Sequence, residues 1–296
     1  MSTTAVLYDK PGPKARRRAR IGTVVALVAI AALLYVAYAR LADRGQFEAE
    51  KWAPLVDPGS EEFSQVWEIL GEGFRATLVA AALAIALSLA LGVVLGVARL
   101  RLGRIARIPV IAFIELFRGL PVVITIVFTW RAMVELGVDV SFLPGEPGLW
   151  YLVIGLTLYN SVIIAEILRA GVLSLPSGQG EAGRAIGMTE GQVMRSILLP
   201  QAFRVMLPAL ISQLVVILKD TSLVALLGFY SEALFEGRRL QRVLDNPIQT
   251  FFVIGLIFIV VNYALSRLAT YAERRLSRSR NGSGDAAKVD EVVPVT

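Results

Sequence analysis

The chain has 296 residues and a formal net charge of +6; 55% of its residues are hydrophobic and only 18% are charged. With a mean hydropathy of +0.64, this composition lies outside the range of soluble globular domains and is typical of an integral membrane protein. Cysteine and histidine are absent, which excludes disulfides, thiolate nucleophiles, cysteine-ligated metals and the commonest proton shuttle. The arginines lie beside apolar runs and do not alternate with aromatic residues, which argues against nucleic-acid binding. We therefore predict no catalytic residue and no metal site.

Six apolar runs predict an all-α integral membrane protein with six transmembrane spans, because about 20 apolar residues are needed to cross a bilayer. In chain order, the runs cover residues 21–39, 76–98, 108–135, 149–165, 205–229 and 248–266. Charged residues interrupt the third and the fifth runs. The first run has a second interpretation as a signal peptide, since basic residues precede it and AYA at 37–39 resembles a cleavage site.

The distribution of arginine and lysine orients the spans, since basic residues favour the cytoplasmic side of a membrane. Basic clusters lie in the N-terminal segment 1–20, after the second span and after the sixth, which predicts that these segments and both termini are cytoplasmic. The connection 42–66 and the connection after the third span are mainly acidic and are predicted to be external. Segment 231–246 departs from this pattern, because its three arginines would be external. Residues 273–296 are mostly polar and predict a disordered cytoplasmic tail.

A polar, glycine-punctuated stretch, GQGEAGRAIGMTEGQVMRSILLPQ at 178–201, lies between the fourth and fifth spans. Its first part predicts a short helix that ends at Gly187, a residue type that readily adopts the left-handed conformation of a helix terminus. Thr189 and Gln192 have the spacing of a capping box, so a second helix is expected to begin there. The stretch therefore predicts a helix–glycine–helix elbow, although on composition alone a simple helical connector is the plainer interpretation.

Charged residues inside a span cost about 2.5 to 3.5 kcal/mol each near the bilayer centre, so they should face protein or water. Lys219 and Asp220 lie inside the fifth run, in the sequence KDTSL with Thr221 and Ser222. One interpretation is that these residues border the path of a zwitterionic substrate, which needs opposite charges and hydroxyl groups. The other is that the charged pair fixes helix packing. Asn160 in the fourth span is a further pathway candidate, although polar side chains in spans more often bond neighbouring helices.

Two acid–base pairs have a three-residue spacing that can place both members on one helix face. The pairs are Glu115 with Arg118 and Glu166 with Arg169. We predict that both pairs lie near the cytoplasmic boundary. RGLP at 118–121 predicts a break in the third span, because glycine and proline open the helical hydrogen-bond ladder. GVVLG at 92–96 is a GxxxG motif, typical of close helix packing.

EAGRAIG at 181–187, followed by ILLPQ at 197–201, resembles the EAA loop of binding-protein-dependent ABC importers, with Gly183 at the position where alanine is usual. ELFRGLPVV at 115–123 is similar to an element of the polar amino acid permeases within that family. AEILRAGVLSLPSGQGEAG and LPQAFRVMLPALISQLVVILKDTSLVALLG follow the pattern of the same branch. The resemblance covers roughly residues 63–274, and the additional first helix looks like that of glutamate-type permeases.

The resemblance implies a five-helix permease core at 67–272, with a cytoplasmic coupling loop at 176–200 and an additional N-terminal transmembrane helix at 21–41. In this family the loop docks on a cytoplasmic ATPase. The implied coupling residues are Glu181, Ala182, Gly183, Ala185 and Gly187. A second permease, identical or homologous, two ATPase subunits and an external solute-binding protein are the implied partners. The implied function is import of a polar amino acid, glutamate or glutamine, by alternating access across the cell membrane.

The sequence has no GxxxxGK[ST] motif, so this chain is not expected to hold ATP through a P-loop. The resemblance therefore assigns ATP and Mg²⁺ to the partner ATPase, leaves no cofactor on this chain and makes it a transport subunit instead of an enzyme. The main alternative is a self-sufficient ion-coupled amino acid carrier, with Asp220 or Glu166 as its ion site. A membrane-embedded hydrolase, which would have to work without His or Cys, and a signalling scaffold are further alternatives.

Overall fold

The computed structural model describes residues 12–278. Throughout this range the chain consists of helices and their connections, without a β-strand. The α-helices are α1 (Pro13–Asp43), α2 (Ala49–Val56), α3 (Phe63–Arg101), α4 (Ile108–Gly119), α5 (Val122–Glu135), α6 (Pro147–Leu173), α7 (Gly178–Ala185), α8 (Glu190–Gln192), α9 (Leu199–Asp220), α10 (Ala233–Val243) and α11 (Pro247–Arg278). A π-helical turn (Val193–Leu198) joins α8 to α9, and a 3-10 segment (Thr221–Leu226) follows α9. These elements confirm the all-α prediction.

Five helical stretches among the described residues are long and apolar enough to cross a membrane. They are Pro13–Asp43, Phe63–Arg101, Pro147–Leu173, Glu190–Leu226 and Pro247–Tyr271. The pair formed by α4 and α5 is apolar enough as well, but its two helices meet at an angle of 111°. Residues 12–278 therefore contain six candidate spans when this bent pair counts as one, as the six apolar runs predict.

The break between α4 and α5 falls at Leu120 and Pro121, where the sequence predicts it. Leu120 is extended, with φ −93° and ψ 142°, because the ring of a following proline disfavours the helical conformation. Pro121 then precedes the first turn of α5 in an extended conformation of its own. Two short helices replace one straight span, and the backbone groups at the break are open to other partners.

Helices α3 and α6 pack closely because α3 presents its GxxxG motif to α6. A Cβ on Gly92 would lie 2.7 Å from Cβ of Ile164, and a Cβ on Gly96 would lie 3.1 Å from the carbonyl oxygen of Ala165. These distances are shorter than ordinary van der Waals contacts of a Cβ atom. The two helices can therefore approach this closely because both positions are glycine. Ile164 then joins buried side chains of α9 in an apolar cluster beside this contact.

One end of the bundle gathers α2, α10 and the N-terminal ends of α3, α6 and α11. The side-chain amide of Asn246 donates to the carbonyl oxygen of Lys51 at 2.9 Å, and the backbone N–H of Ala233 donates to Oγ1 of Thr77 at 3.1 Å. The connection before α3 and the connection between α9 and α11 therefore lie at the same end, as the alternation of spans requires. We call this the outer end, after the external side that the charge pattern predicts for it.

The arginines of α10 depart from the charge pattern of the outer end, and the structure shows how they are accommodated. Arg238 donates to the carbonyl oxygen of Ala225 at 2.5 Å, and Arg239 pairs with Glu236 at 2.9 Å. Glu236 is only 7% exposed, so its partner is held close to the protein. Arg238 and Arg239 are therefore both bonded within the chain, although the side chain of Arg239 is 61% exposed.

The opposite end of the bundle carries a network of charges that joins α3, α4 and α6. Arg99 of α3 forms a salt bridge with Glu166 of α6, which also pairs with Arg169 at 3.1 Å. Arg99 lies 3.6 Å from Glu115 of α4. The predicted Glu166–Arg169 pair forms, whereas Glu115 pairs with Arg99 and not with Arg118, because the face of α4 that carries Glu115 meets the end of α3.

Two predicted boundaries need correction. Helix α1 begins at Pro13, so residues 13–20, predicted as part of a separate N-terminal segment, form its first turns. Helix α11 continues through residues 273–278, which were predicted to begin the disordered tail. Arginine, leucine and glutamate favour helix, so both helices extend beyond their apolar runs. Residues 1–11 and the predicted tail at 279–296 lie outside the described residues.

Candidate functional site

The elbow consists of α7, α8 and the residues between them, and α7 ends as the sequence predicts. Gly187 has a φ of +86°. The N–H of Met188 donates to the carbonyl of Gly183 at 3.1 Å, and the N–H of Gly187 donates to the carbonyl of Arg184 at 2.9 Å. This pair of bonds is a Schellman motif, which satisfies the last carbonyls of a helix. Apart from its chain neighbours, no described residue has an atom within 4 Å of a Cβ built on Gly187, so the backbone conformation favours glycine there.

The second arm of the elbow begins with the predicted capping box. The N–H of Gln192 donates to Oγ1 of Thr189 at 3.3 Å, and the N–H of Thr189 donates to Oε1 of Gln192 at 2.8 Å. A Cβ on Gly191 would lie 3.2 Å from the guanidinium of Arg101, which places the elbow at the same end as the Arg99 network. Since α8, the π-helical turn and α9 form one helical stretch, a displacement of this arm moves α9.

Gly183 does not lie on the outer face of the elbow, where the resemblance implies a docking residue. It is buried between the two arms. A Cβ on Gly183 would lie 2.8 Å from Cδ1 of Ile197 and 3.0 Å from Cγ2 of Val193. Its small size therefore serves the contact between the arms. This contact also explains why glycine replaces the usual alanine, since an added methyl group would require Ile197 to shift.

The outer face of the first arm is exposed and open to a partner. Glu181, Ala182 and Ala185 are exposed there, and Ile186 beside them is 78% exposed. Arg184 pairs with Glu190 of the second arm at 3.2 Å, which braces the angle between the arms. Ile186 was missed by the sequence analysis, and its signal is a large apolar residue within an otherwise polar segment. We call the exposed set of Glu181, Ala182, Ala185 and Ile186 the elbow face.

The second candidate site is the junction at Lys219–Ser222, where α9 ends and the 3-10 segment begins. A change from α-helix to 3-10 helix within a long helix often marks a functional hinge. Thr221 is fully buried, and its hydroxyl donates to the carbonyl of Leu218 at 2.7 Å. Ser222 is partly buried. The junction therefore combines two charges and two hydroxyls at a point where the helix geometry changes.

The two charges of the junction face different surroundings. Lys219 is exposed and lines a groove of about 330 Å³ whose opposite wall includes Phe251 and Phe258 of α11. Asp220, which is only partly exposed, points about 100° away around the helix. Neither residue forms a salt bridge with a described residue. A direct ion pair between Lys219 and Asp220, as a pure packing role would favour, is therefore not formed.

Asn160 is a fully buried polar residue at the centre of α6. Its side-chain N–H donates to the carbonyl of Leu156 at 2.9 Å, and its Oδ1 accepts a hydrogen bond from Gln213 of α9 at 2.7 Å. These bonds are the interhelical contacts expected of polar side chains in spans. Gln213 lies seven residues before Asp220, on the same helix face and about 10 Å along the axis. Asn160 is thus linked to the junction through its hydrogen bond with Gln213.

Comparison with known sequences identifies the kind of transporter that carries these features. Residues 88–278, which include the break, the elbow and the junction, match the family described as binding-protein-dependent transport system inner membrane component. The chain belongs to this family. The permease is therefore the membrane subunit of an ABC importer, and its ATPase is a separate subunit. This membership decides against a self-sufficient ion-coupled carrier.

Curated relatives of the permease come from several bacteria. It is 40% identical over 252 residues to the glutamate transport system permease protein GluD of Corynebacterium glutamicum, covering 85% of the permease and 89% of the relative. It is 30% identical over 218 residues to the glutamine transport system permease protein GlnP of Escherichia coli, covering 73% of the permease and 97% of that relative. Both relatives match over most of their own length.

Solved structures agree with the fold of the permease. A crystal structure of an amino acid ABC transporter with histidines superposes with a TM-score of 0.64 at 25% sequence identity, covering 72% of the permease and 96% of that chain. The MetNI methionine ABC transporter in an inward-facing conformation gives a TM-score of 0.57 at 22% identity, covering 74% and 100% of the two chains. The second likeness concerns the fold alone. The predicted permease fold is confirmed.

Glu232 is a residue of the permease that the sequence analysis missed. It is fully buried and caps α10, where its carboxylate accepts from the N–H groups of Leu234 at 3.0 Å and Phe235 at 2.8 Å. Burial raises the pKa of Glu232 above its ordinary range, while these hydrogen bonds and the nearby hydroxyls of Ser222 and Thr77 act in the opposite direction. The cap bonds are local, but no local sequence pattern shows that this carboxyl group is buried beside Ser222 of the junction and Thr77 of α3.

Proposed function

We propose that this permease imports a polar amino acid, glutamate or glutamine, by alternating access. The identity of 40% over 252 residues with a permease of a glutamate transport system carries this proposal. The relative named for glutamine, at 30% identity, supports the amide as the second substrate candidate. Both amino acids are zwitterions, and their passage requires groups that bind a carboxylate and an ammonium.

In this proposal the junction borders the substrate path. Lys219 offers a cation toward a groove, Asp220 offers an anion on another face, and Thr221 and Ser222 supply hydroxyls. The support is that neither charge is taken up in a described salt bridge, although charges at membrane depth are costly when they have no partner. Asn160 contributes by holding Gln213, which shares a helix face with Asp220.

The assembly that we propose contains two permeases, identical or homologous, two cytoplasmic ATPase subunits and an external solute-binding protein. The elbow face docks on the ATPase, which holds ATP and Mg²⁺, and both termini of the permease are cytoplasmic. The support is geometric: the elbow face is exposed, and the elbow continues into α9 as one helical stretch. Closure of the ATPases would then move the helix that carries the junction.

Reconstitution tests this function. The permease is purified with its ATPase, placed in proteoliposomes and supplied with the binding protein and labelled glutamate. Uptake should require the binding protein and ATP on the side of the membrane that carries the ATPase. Unlabelled glutamate and unlabelled glutamine should both compete with uptake of the labelled glutamate. Uptake by the permease alone, driven by a proton or sodium gradient, would contradict the ATP-driven mechanism. Competition by arginine and not by glutamate or glutamine would contradict the substrate assignment.

A further inference from the structure

A shallow apolar groove lies along the last turns of α3, at the end of the bundle that carries the elbow. It has a volume of about 520 Å³ and is lined by Val93, Val94, Val97, Ala98, Arg101 and Leu102. Val94 is 62% exposed, so no other described element covers the groove. We call it the α3 groove. Its apolar walls belong to a membrane-crossing helix, while its basic end lies where that helix stops.

Two exposed arginines without a described salt bridge lie at the end of α3 and just beyond it. Arg101 and Arg104 are exposed, and neither forms a salt bridge with a described residue. Arg99, by contrast, is bonded to Glu166 and lies near Glu115. The sequence contains no acidic residue between positions 72 and 115, so the segment has no anion of its own for these arginines.

We propose that the α3 groove binds one anionic phospholipid, with an acyl chain against the valines and the headgroup phosphate at Arg101 and Arg104. The order of the two surfaces along α3, apolar within the span and cationic at its end, matches the order of acyl chain and headgroup in a lipid. Guanidinium groups bind phosphate oxygens through paired N–H donors. Basic sites beside membrane-crossing helices are suited to anionic headgroups. The proposal does not depend on the transported substrate.

Charge complementarity favours a lipid over a second permease as the occupant. A two-fold symmetric contact brings the same surface patch of each copy against itself. At the α3 groove this would place Arg101 and Arg104 near the same arginines of the partner, and like charges repel. A free phosphate ion would neutralise the arginines but would leave the valines uncovered. An anionic lipid satisfies both parts of the groove.

The experiment uses the absence of native cysteine. A single Val94→Cys is labelled with a fluorophore, and the permease–ATPase complex is reconstituted in phosphatidylcholine vesicles that contain brominated phosphatidylglycerol or brominated phosphatidylcholine. Ile259→Cys, at an exposed apolar position of α11, is the control for general lipid contact. Phosphatidylglycerol should quench the fluorophore at Val94 with a relative affinity at least about fivefold above that of phosphatidylcholine. The two lipids should quench equally at Ile259.

Charge variants make the assignment specific. Arg101→Gln with Arg104→Gln should lower the preference for phosphatidylglycerol at least about fivefold, to near the equal quenching expected at Ile259. Arg131→Gln, at an exposed arginine near the end of α5, should leave it unchanged. If the double variant does not fold, the wild-type preference should still shrink as salt rises from about 0.1 M to about 1 M.

Three results would overturn the proposal. The first is equal quenching by the two lipids at Val94. The second is a preference that neither salt nor the arginine substitutions alter. The third is protection of Val94 from both lipids while Ile259 is quenched normally, because a second permease or the ATPase would then cover the groove.

Discussion

The side-chain amide of Gln213 on α9 donates a hydrogen bond of 2.7 Å to Oδ1 of Asn160 at the centre of α6. Gln213 shares a helix face with Asp220, and the helical stretch that carries both residues begins at the elbow. Helix α6 ends in the charge network through Glu166. The Gln213–Asn160 bond therefore connects the two helices on which the elbow, the junction and the network depend.

Breaking this bond on one side should destabilise the permease. Asn160→Leu leaves the partly buried amide of Gln213 without this partner, and we expect a loss of about 1 to 3 kcal/mol in the free energy of unfolding. The double variant Asn160→Leu, Gln213→Leu should recover part of this loss, with a coupling energy of about 0.6 to 1.7 kcal/mol. Denaturant unfolding in detergent measures both values. Additive losses would show that the bond contributes nothing to stability.

Lys219→Ala should impair uptake while the permease still assembles with its ATPase. A hydrogen bond to a charged group contributes about 1.5 to 3 kcal/mol, so transport efficiency should fall by more than about tenfold. ATP-dependent uptake in proteoliposomes and co-purification of the ATPase provide the two measurements. Arg204→Ala, at an exposed cation on the same helix, is the matched control. Wild-type uptake by Lys219→Ala would assign Lys219 to helix packing.

Gly187→Val should uncouple the elbow without preventing membrane insertion. A left-handed backbone costs a residue with a Cβ about 1 to 2 kcal/mol, so the first arm should lengthen or the angle between the arms should change. The variant should reach the membrane at near-normal level but lose its ATPase, or keep it without substrate-stimulated hydrolysis.

Gly178→Val is the matched control for this substitution. Neither Gly178 nor Gly187 has an atom within 4 Å of an added Cβ, but only Gly187 has a positive φ. The control should therefore retain coupling. Normal coupling in Gly187→Val would reduce the elbow to a simple connector between spans.

The buried carboxyl of Glu232 should make stability depend on pH. Because burial raises the pKa of Glu232 in the folded state, its favourable contribution is complete below the unfolded-state pKa of about 4.3 and is lost as pH rises through the folded-state pKa. Wild-type permease should therefore lose stability relative to Glu232→Gln as pH rises from about 4 to about 8. Melting temperatures across this range provide the measurement. Glu135→Gln, at an exposed position, should show the same change of melting temperature with pH as the wild type. The prediction would be contradicted if the melting temperature of Glu232→Gln also changed with pH as in the wild type.

Cysteine labelling tests the orientation of the spans. Cysteines introduced singly at Glu48 and Ser279 of this cysteine-free chain should react with an impermeant reagent from opposite sides of the membrane, with Glu48 outside. The reason is the asymmetry of arginine and lysine between the connections. Reaction of both positions from outside would refute the six-span arrangement.

Features that depend on neighbouring residues could be predicted from the sequence. The six apolar runs, the break at Pro121, the left-handed Gly187 and the capping box at Thr189 all follow from local chain geometry or from the length of an apolar run. Each of these features lies within one continuous segment of the chain, so predicting it does not require knowing which helices meet. The same holds for the family resemblance, which local motifs carried.

Features that depend on which helix faces meet became visible only in the folded chain. Gly183 faces Ile197 instead of a partner, Glu115 pairs with Arg99 of another helix, and Glu232 is buried within the outer end of the bundle. Side chains three residues apart can share a helix face, but a neighbouring helix can offer a nearer partner and remove the water around a charge. Such contacts join residues far apart in sequence, so the chain's local patterns carry no record of them.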